Sequence, residues 1–211
     1  MTRLASLTSL VVLLATPALR AEEGMWTFDN FPNDRVKTRF GFSPDKAWLD
    51  HVRLSSVRLA LGCSGSFVSP DGLVMTNHHC ARRCIQDLST SQHDLTENGF
   101  YAKTQAEERT CPRMEINQLV GMQDVTARVQ GATRGLSGKA FLQAQKAEFA
   151  RIEKACQTSD ALRCEVVTLY HGGQYQLYTY RRWKKDVRLV FAPEESIAFF
   201  GGDPDNFNFP R

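Results

Sequence analysis

Two histidines and a cysteine stand together where an apolar stretch of the chain ends. The stretch reads Gly72-Leu73-Val74-Met75-Thr76-Asn77-His78-His79-Cys80, and its apolar residues predict a strand that a small polar pair then turns. A serine hydroxyl is a poor nucleophile until an imidazole takes its proton. An imidazole presented at the end of a strand could take such a proton, which makes this pair of histidines a candidate for such chemistry.

This stretch resembles the histidine loop of chymotrypsin-like barrels, in which the strand ends in Thr-Ala-Ala-His-Cys. The resemblance aligns the base with His79 rather than His78. Upstream, Cys63-Ser64-Gly65-Ser66-Phe67-Val68-Ser69 resembles the strand that opens such barrels. The resemblance implies a mostly β, trypsin/chymotrypsin-like double β-barrel with a few helices. Residues 22–211 would be its N-terminal part, with the first barrel nearly complete and the second only begun.

A second motif closes the chain, Gly201-Gly202-Asp203-Pro204-Asp205-Asn206-Phe207 followed by Asn208-Phe209-Pro210-Arg211. Together with the histidine stretch and Asn98-Gly99-Phe100-Tyr101, it resembles the bacterial serine dipeptidyl-peptidases typified by dipeptidyl-peptidases 7 and 11. The resemblance runs from about Gly24 to the last residue and reaches only the N-terminal part of that family, whose members are several times longer.

The family resemblance implies roles for three residues. His79 would be the general base, while Asn206 and Phe207 would hold the free amino terminus of a peptide substrate. Most characterised members have Trp at the latter place, so Phe207 keeps the aromatic face and loses the indole donor. The family's catalytic aspartate and nucleophilic serine fall beyond Arg211, so this chain alone is expected to be an inactive fragment.

The expected function of the full-length product is therefore serine-type release of dipeptides from the free N-terminus of peptides, without a cofactor. Two alternatives stay open. If the chain truly ends at residue 211, it would be an inactive remnant or a peptide-binding module. An ordinary trypsin-like endopeptidase is disfavoured by the Gly-Gly-Asp motif. A homodimer of the full-length product also stays open.

Residues 1–21 read as a secretory signal peptide, with a positive start, an uncharged apolar stretch and a small-residue end. The alternative is an uncleaved anchor, although the apolar stretch is short for a membrane span. Cleavage would leave 190 residues and, without Arg3 and Arg20, would lower the formal charge from +3 to +1. So balanced a charge predicts neither nucleic acid nor, after cleavage, a membrane as partner. The expected location is the periplasm or the medium.

Six cysteines behind a signal peptide favour disulfides. Our preferred pairing is Cys63–Cys80, Cys84–Cys111 and Cys156–Cys164, and the sequence leaves the other fourteen of the roughly 15 connectivities open. The Cys63 to Cys80 interval is close to that of the disulfide that ties the histidine loop to the wall of chymotrypsin-like barrels. A metal site at His78, His79, Cys80 and Cys84 is the alternative, but the Cys-x-x-Cys spacing of such sites is missing. We therefore predict no metal.

The hydrophobic pattern also predicts individual elements. A helix is expected from Ser43 as N-cap with Pro44 at its first position. Residues 62–75 read as a hairpin, 81–88 as a short helix, 89–112 as a loop, 114–129 as strand and 137–156 as a helix. Strands are expected at 165–170, 175–180 and 185–191.

Overall fold

The computed structural model describes residues 26–198. The chain divides into two compact units, residues 1–43 and 44–211. In the first unit, the described residues form one helix, α1 (Asn33–Phe40). It ends at Gly41, whose φ of 68° lies in the left-handed region and whose N–H donates to the Lys37 carbonyl. This helix was not among the elements expected from the sequence.

The second unit is built on a six-stranded antiparallel sheet with the strand order β3-β2-β1-β6-β8-β7. Its strands are β1 (Ser56–Leu59), β2 (Ser64–Phe67), β3 (Val74–Thr76), β6 (Ile116–Asp124), β7 (Leu162–Leu169) and β8 (Gln174–Trp183). Two small two-stranded sheets pair β4 (Phe100–Tyr101) with β10 (Phe191–Ala192), and β5 (Arg109–Thr110) with β9 (Arg188–Leu189).

The predicted hairpin of residues 62–75 and the strands predicted at 165–170 and 175–180 are confirmed. Strands β2 and β3 pair with Gly65 opposite Thr76 and Phe67 opposite Val74, and the turn between them contains Gly72 with a φ of 89°. Strands β7 and β8 pair along their whole length. The strand predicted at 185–191 is instead divided into β9 and β10, which join different small sheets.

The helices of the second unit are α2 (Lys46–Ser55), α3 (His78–Leu88), α4 (Leu95–Asn98), α5 (Thr126–Thr133), α6 (Gly138–Cys156) and α7 (Glu195–Ala198). Short 3₁₀ turns cover Gln105–Glu107 and Tyr170–Gly172. The prediction of α6 is confirmed to within one residue. The predicted N-cap of α2 is wrong, because Asp45 caps this helix by accepting a hydrogen bond from the Trp48 N–H at 2.8 Å. Among the described residues, no helix is both long and apolar enough to cross a membrane.

The strand expected to continue to residue 129 stops at Asp124, and α5 follows. The Asp124 carboxylate accepts a hydrogen bond from the Thr126 N–H at 2.7 Å, which stabilises the helix start. Val129, with no exposed surface, then packs into a core with Ile152 of α6 and Val166 of β7. Tertiary packing of α5 against α6 thus overrides the β propensity of Val125 and Val129.

The expected double β-barrel is not confirmed. Mostly antiparallel β-structure with several helices is present, but within residues 26–198 the main sheet stays open, with β3 and β7 as its edges. A second hydrophobic cluster, around Val57, Leu59, Cys80 and Ile116, lies at the β1–β3 end of the sheet. A third joins α3 and α4 to β9 and β10. Helix α3 therefore contributes to both of these clusters, through Cys80 to one and through Cys84 and Ile85 to the other.

Candidate active site around His79

Helix α3 begins at His78 and not, as predicted, at residue 81, so both histidines lie in its first turn. The buried face of α3 carries Cys80, Cys84 and Ile85. His79 lies on the opposite face and is exposed, which leaves its imidazole open to solvent. The predicted role of general base requires such exposure, because the imidazole must be accessible to an incoming group.

His78 has a different environment. Its side chain is half-buried, and both ring nitrogens are buried without a hydrogen-bond partner among the described residues. An imidazole whose nitrogens are buried cannot accept a proton from another group as readily as an exposed imidazole can. The structure therefore favours His79 over His78 for contact with a ligand.

Disulfides hold α3 at both ends of its buried face. Cys80 in the first turn bonds Cys63, which immediately precedes β2, and Cys84 one turn later bonds Cys111 beyond β5. Cys156 of α6 bonds Cys164 of β7. The preferred disulfide pairing is confirmed for all six cysteines. Because two bonds fix one helix, the backbone that carries His79 is held firmly against the sheet.

The β2–β3 hairpin below the histidines is closely packed. A Cβ atom at Gly65 would lie 2.8 Å from the carbonyl oxygen of Met75 on the neighbouring strand, so only glycine allows this approach. The Thr76 hydroxyl also donates to the Ser64 carbonyl at 2.8 Å. These contacts fix the end of β3, from which the chain passes through Asn77 directly into α3.

His79 lines an open cleft of about 660 Å³. The other lining residues are polar or charged: Arg82, Arg83, Gln86, Asp87 and Arg113. This group was not predicted, because the helix was expected to begin only at residue 81. With the helix begun at His78, the spacing of three, four and seven residues from His79 would have placed Arg82, Arg83 and Gln86 on its face.

Two of the three arginines of the cleft are engaged in ion pairs. Arg82 contacts the Glu195 carboxylate of α7 at 2.7 Å, and Arg113 donates to the Asp87 carboxylate. Arg83 has neither an ion pair nor a hydrogen bond within residues 26–198. The cleft beside His79 therefore has a net positive charge and one uncommitted guanidinium.

One ring nitrogen of His79 and the sulfurs of Cys63 and Cys80 lie within 4.8 Å of one another. This cluster resembles a metal-ligand set by composition. Both sulfurs are, however, bonded to each other, and the cysteine that binds a metal does so as a free thiolate. The short distance instead shows that the disulfide lies directly beside the imidazole.

A separate cavity of about 320 Å³ lies between the β2–β3 hairpin and residues 186–191. His79 is not among its lining residues. Leu59, Ile116 and Trp183 line it, and the same side chains belong to the hydrophobic cluster at this end of the sheet. Most of its lining is apolar, with Asp71, Asp186 and Arg188 among the exceptions, so this cavity lies against the core of the open sheet.

The other two predicted site residues, Asn206 and Phe207, lie outside the described residues. Of the three predicted site residues, the structure describes only His79, and the roles of all three stay predictions.

Comparisons with known proteins extend over almost the whole chain. Residues 21–211 match the peptidase S46 family. The dipeptidyl-peptidase 7 of Capnocytophaga gingivalis is 32% identical over 98% of this chain and 30% of its own length. An Asp/Glu-specific dipeptidyl-peptidase of Shewanella putrefaciens is 34% identical over 95% of this chain and 28% of its own length.

Solved structures agree with the sequence relatives. The crystal structure of Porphyromonas endodontalis DPP11 in complex with substrate is similar, with a TM-score of 0.76 and 29% identity. The match covers 90% of this chain and 29% of the DPP11 chain. This chain thus spans about 30% of the length of the relatives that it matches. On the match to residues 21–211, the chain belongs to the peptidase S46 family.

Proposed function

We propose that the complete protein is a serine dipeptidyl-peptidase that releases dipeptides from the free N-terminus of peptides, with His79 as its general base. The observation that carries the proposal is the exposed imidazole of His79, fixed by the Cys63–Cys80 disulfide in a chain of the S46 family. The relatives are named as dipeptidyl-peptidases, which supports the same reaction here.

In this reaction His79 removes the proton of a serine hydroxyl as its oxygen attacks the scissile carbonyl carbon. The imidazolium then gives that proton to the leaving amine. Water repeats the sequence on the acyl-enzyme and frees the dipeptide. Within residues 26–198 the His79 ring makes no hydrogen bond, so the orienting carboxylate and the serine must come from other parts of a complete protein.

Recognition of the free amino terminus is assigned to Asn206 and Phe207. The amide oxygen of Asn206 can accept hydrogen bonds from a substrate ammonium group. The ring of Phe207 can add a cation–π contact of roughly 0.5–2 kcal/mol. An enzyme that cleaves after the second residue must hold the substrate amino terminus at a fixed distance from the reacting groups.

The open sheet is proposed to be part of a trypsin-like barrel in the complete protein. Residues 1–21 are proposed as a cleaved signal peptide, which would place the protein in the periplasm or the medium. The three disulfides support an oxidising location.

If the 211 residues are the whole product, a peptide-binding module is the second candidate. The open cleft of about 660 Å³ beside His79 favours it. The chain alone would then bind peptides without turnover.

The test compares a free and an N-acetylated tetrapeptide as substrates of the complete gene product. We expect dipeptide release from the free peptide only, and Asn206→Ala should raise KM more than it lowers kcat. Equal cleavage of both peptides would refute the assignment of Asn206 and Phe207. Turnover by the 211-residue chain alone would show that its residues suffice and contradict the need for a serine and a carboxylate from elsewhere.

A further inference from the structure

The face of α3 that carries His79 also carries three cationic or amide side chains. Arg82, Arg83 and Gln86 follow His79 at three, four and seven residues and line the same cleft. Four residues, or about 6 Å along the helix axis, separate His79 from Arg83. A group bound by Arg83 would therefore lie on the same face of the helix as the imidazole.

Arg113, in the loop between β5 and β6, closes the cleft from a second element. It donates to Asp87, so its charge is partly compensated. Arg82 is compensated by Glu195. Arg83 is left as an exposed guanidinium without a partner in the described part of the chain.

We propose that Arg83, supported by Arg82 and Arg113, forms a carboxylate-binding surface beside His79 that receives an acidic group of the peptide substrate. The ligand class is a peptide carboxylate, either an Asp or Glu side chain or the terminal carboxylate of a short peptide. That this peptide is a substrate rests on the proposed function, whereas the binding surface itself does not.

A guanidinium suits this task because its planar fork can donate two parallel hydrogen bonds to one carboxylate. The surface is exposed, so water and salt weaken the attraction. We therefore expect a preference of about fivefold for an acidic over an isosteric neutral peptide, lost in concentrated salt.

The test measures binding of three N-acetylated tetrapeptides to the 211-residue chain by NMR, through the His79 ring and arginine side-chain signals. One peptide has a glutamate side chain and an amidated end, one has glutamine and a free terminal carboxylate, and one has glutamine and an amidated end. The acetyl group removes the amine that Asn206 and Phe207 would hold. Failure of this test is therefore distinct from failure of the dipeptidyl-peptidase assignment.

Tighter binding of either acidic peptide than of the neutral one, with His79 and Arg83 signals shifted together, supports the proposal and identifies the source of the carboxylate. Arg83→Gln should remove the preference, Arg83→Lys should retain part of it, and the control Arg134→Gln, at another exposed arginine, should leave it unchanged. Equal binding of all three peptides, or a preference that survives in Arg83→Gln, would overturn the proposal.

Discussion

Replacing both Cys63 and Cys80 with alanine should lower the free energy of unfolding by about 3 kcal/mol. The bond joins residues 17 apart in sequence, and the loop-closure entropy that such a bond removes from the unfolded chain is about 3 kcal/mol for a loop of this size. The alanines keep most of the apolar contact of Cys80, which is only 8% exposed beside Val57 and Leu59. The loss should therefore come mainly from the unfolded state.

Urea unfolding followed by tryptophan fluorescence measures this loss. With a slope of about 1–3 kcal/mol per molar urea, the midpoint should fall by about 1 M or more. NMR of the folded variant should also show shifted His79 ring signals, because the disulfide lies within 4.8 Å of that ring.

The matched control replaces Cys156 and Cys164, which are eight residues apart. The smaller loop should cost about 0.6 kcal/mol less, and the His79 signals should stay in place. A loss below about 1 kcal/mol for the first pair, together with unchanged His79 signals, would refute the argument that this disulfide holds the first turn of α3.

Two further predictions concern an ion-pair cluster and a close backbone approach within the second unit. Glu148, 8% exposed between Arg128 and Arg151, has a carboxyl pKa held below its ordinary value by hydrogen bonds from Arg151 and then Arg128. The ionised carboxylate therefore stabilises the folded state above about pH 4.5, and this stabilisation is lost as the pH falls through the lowered folded-state pKa. Glu148→Gln should lower the free energy of unfolding by about 1–2 kcal/mol at pH 7 and weaken the pH dependence of urea unfolding in acid. An unchanged pH dependence would contradict this. Gly65→Ala should cost about 1–3 kcal/mol because the new Cβ meets the Met75 carbonyl. The control Gly131→Ala, in open space within α5, should stabilise the protein by about 0.5–1 kcal/mol, and equal effects of the two substitutions in thermal unfolding would refute the close-approach argument.

Much of the sheet could be predicted because its signals are local. Apolar residues flank Ser69-Pro70-Asp71-Gly72 on both sides. These four residues are typical of a turn, so the pairing of β2 with β3 depends only on residues close in sequence. The disulfide pairing was also predictable, since a resemblance and loop lengths pointed to it. The family followed from short motifs that survive at 32% identity.

The predictions that proved wrong concern elements whose structure depends on contacts between residues distant in sequence. Asn77 is the single residue between β3 and α3, and its side chain makes no capping hydrogen bond. No local signal therefore marks the helix start at His78. The second half of the predicted strand became α5 because Val129 packs on Ile152, 23 residues away.

The cationic cleft could not be predicted for the same reason. Whether Arg82, Arg83 and Arg113 are free depends on Glu195 and Asp87, which only the folded chain brings near two of them. The double barrel was inferred from a resemblance to complete domains. Closure of a sheet requires strands on both of its edges, and the main sheet is open within residues 26–198.

The most direct measurement is kcat/KM for a free-amine tetrapeptide in the complete gene product, compared among the wild type, His79→Ala and His78→Ala. We expect kcat/KM to fall by about 10⁴-fold or more for His79→Ala. His78→Ala should lower it much less, because the shielded ring of His78 contributes to packing and not to proton transfer. Full activity of His79→Ala, or the larger loss at His78, would contradict the claim that the exposed imidazole at position 79 is the general base.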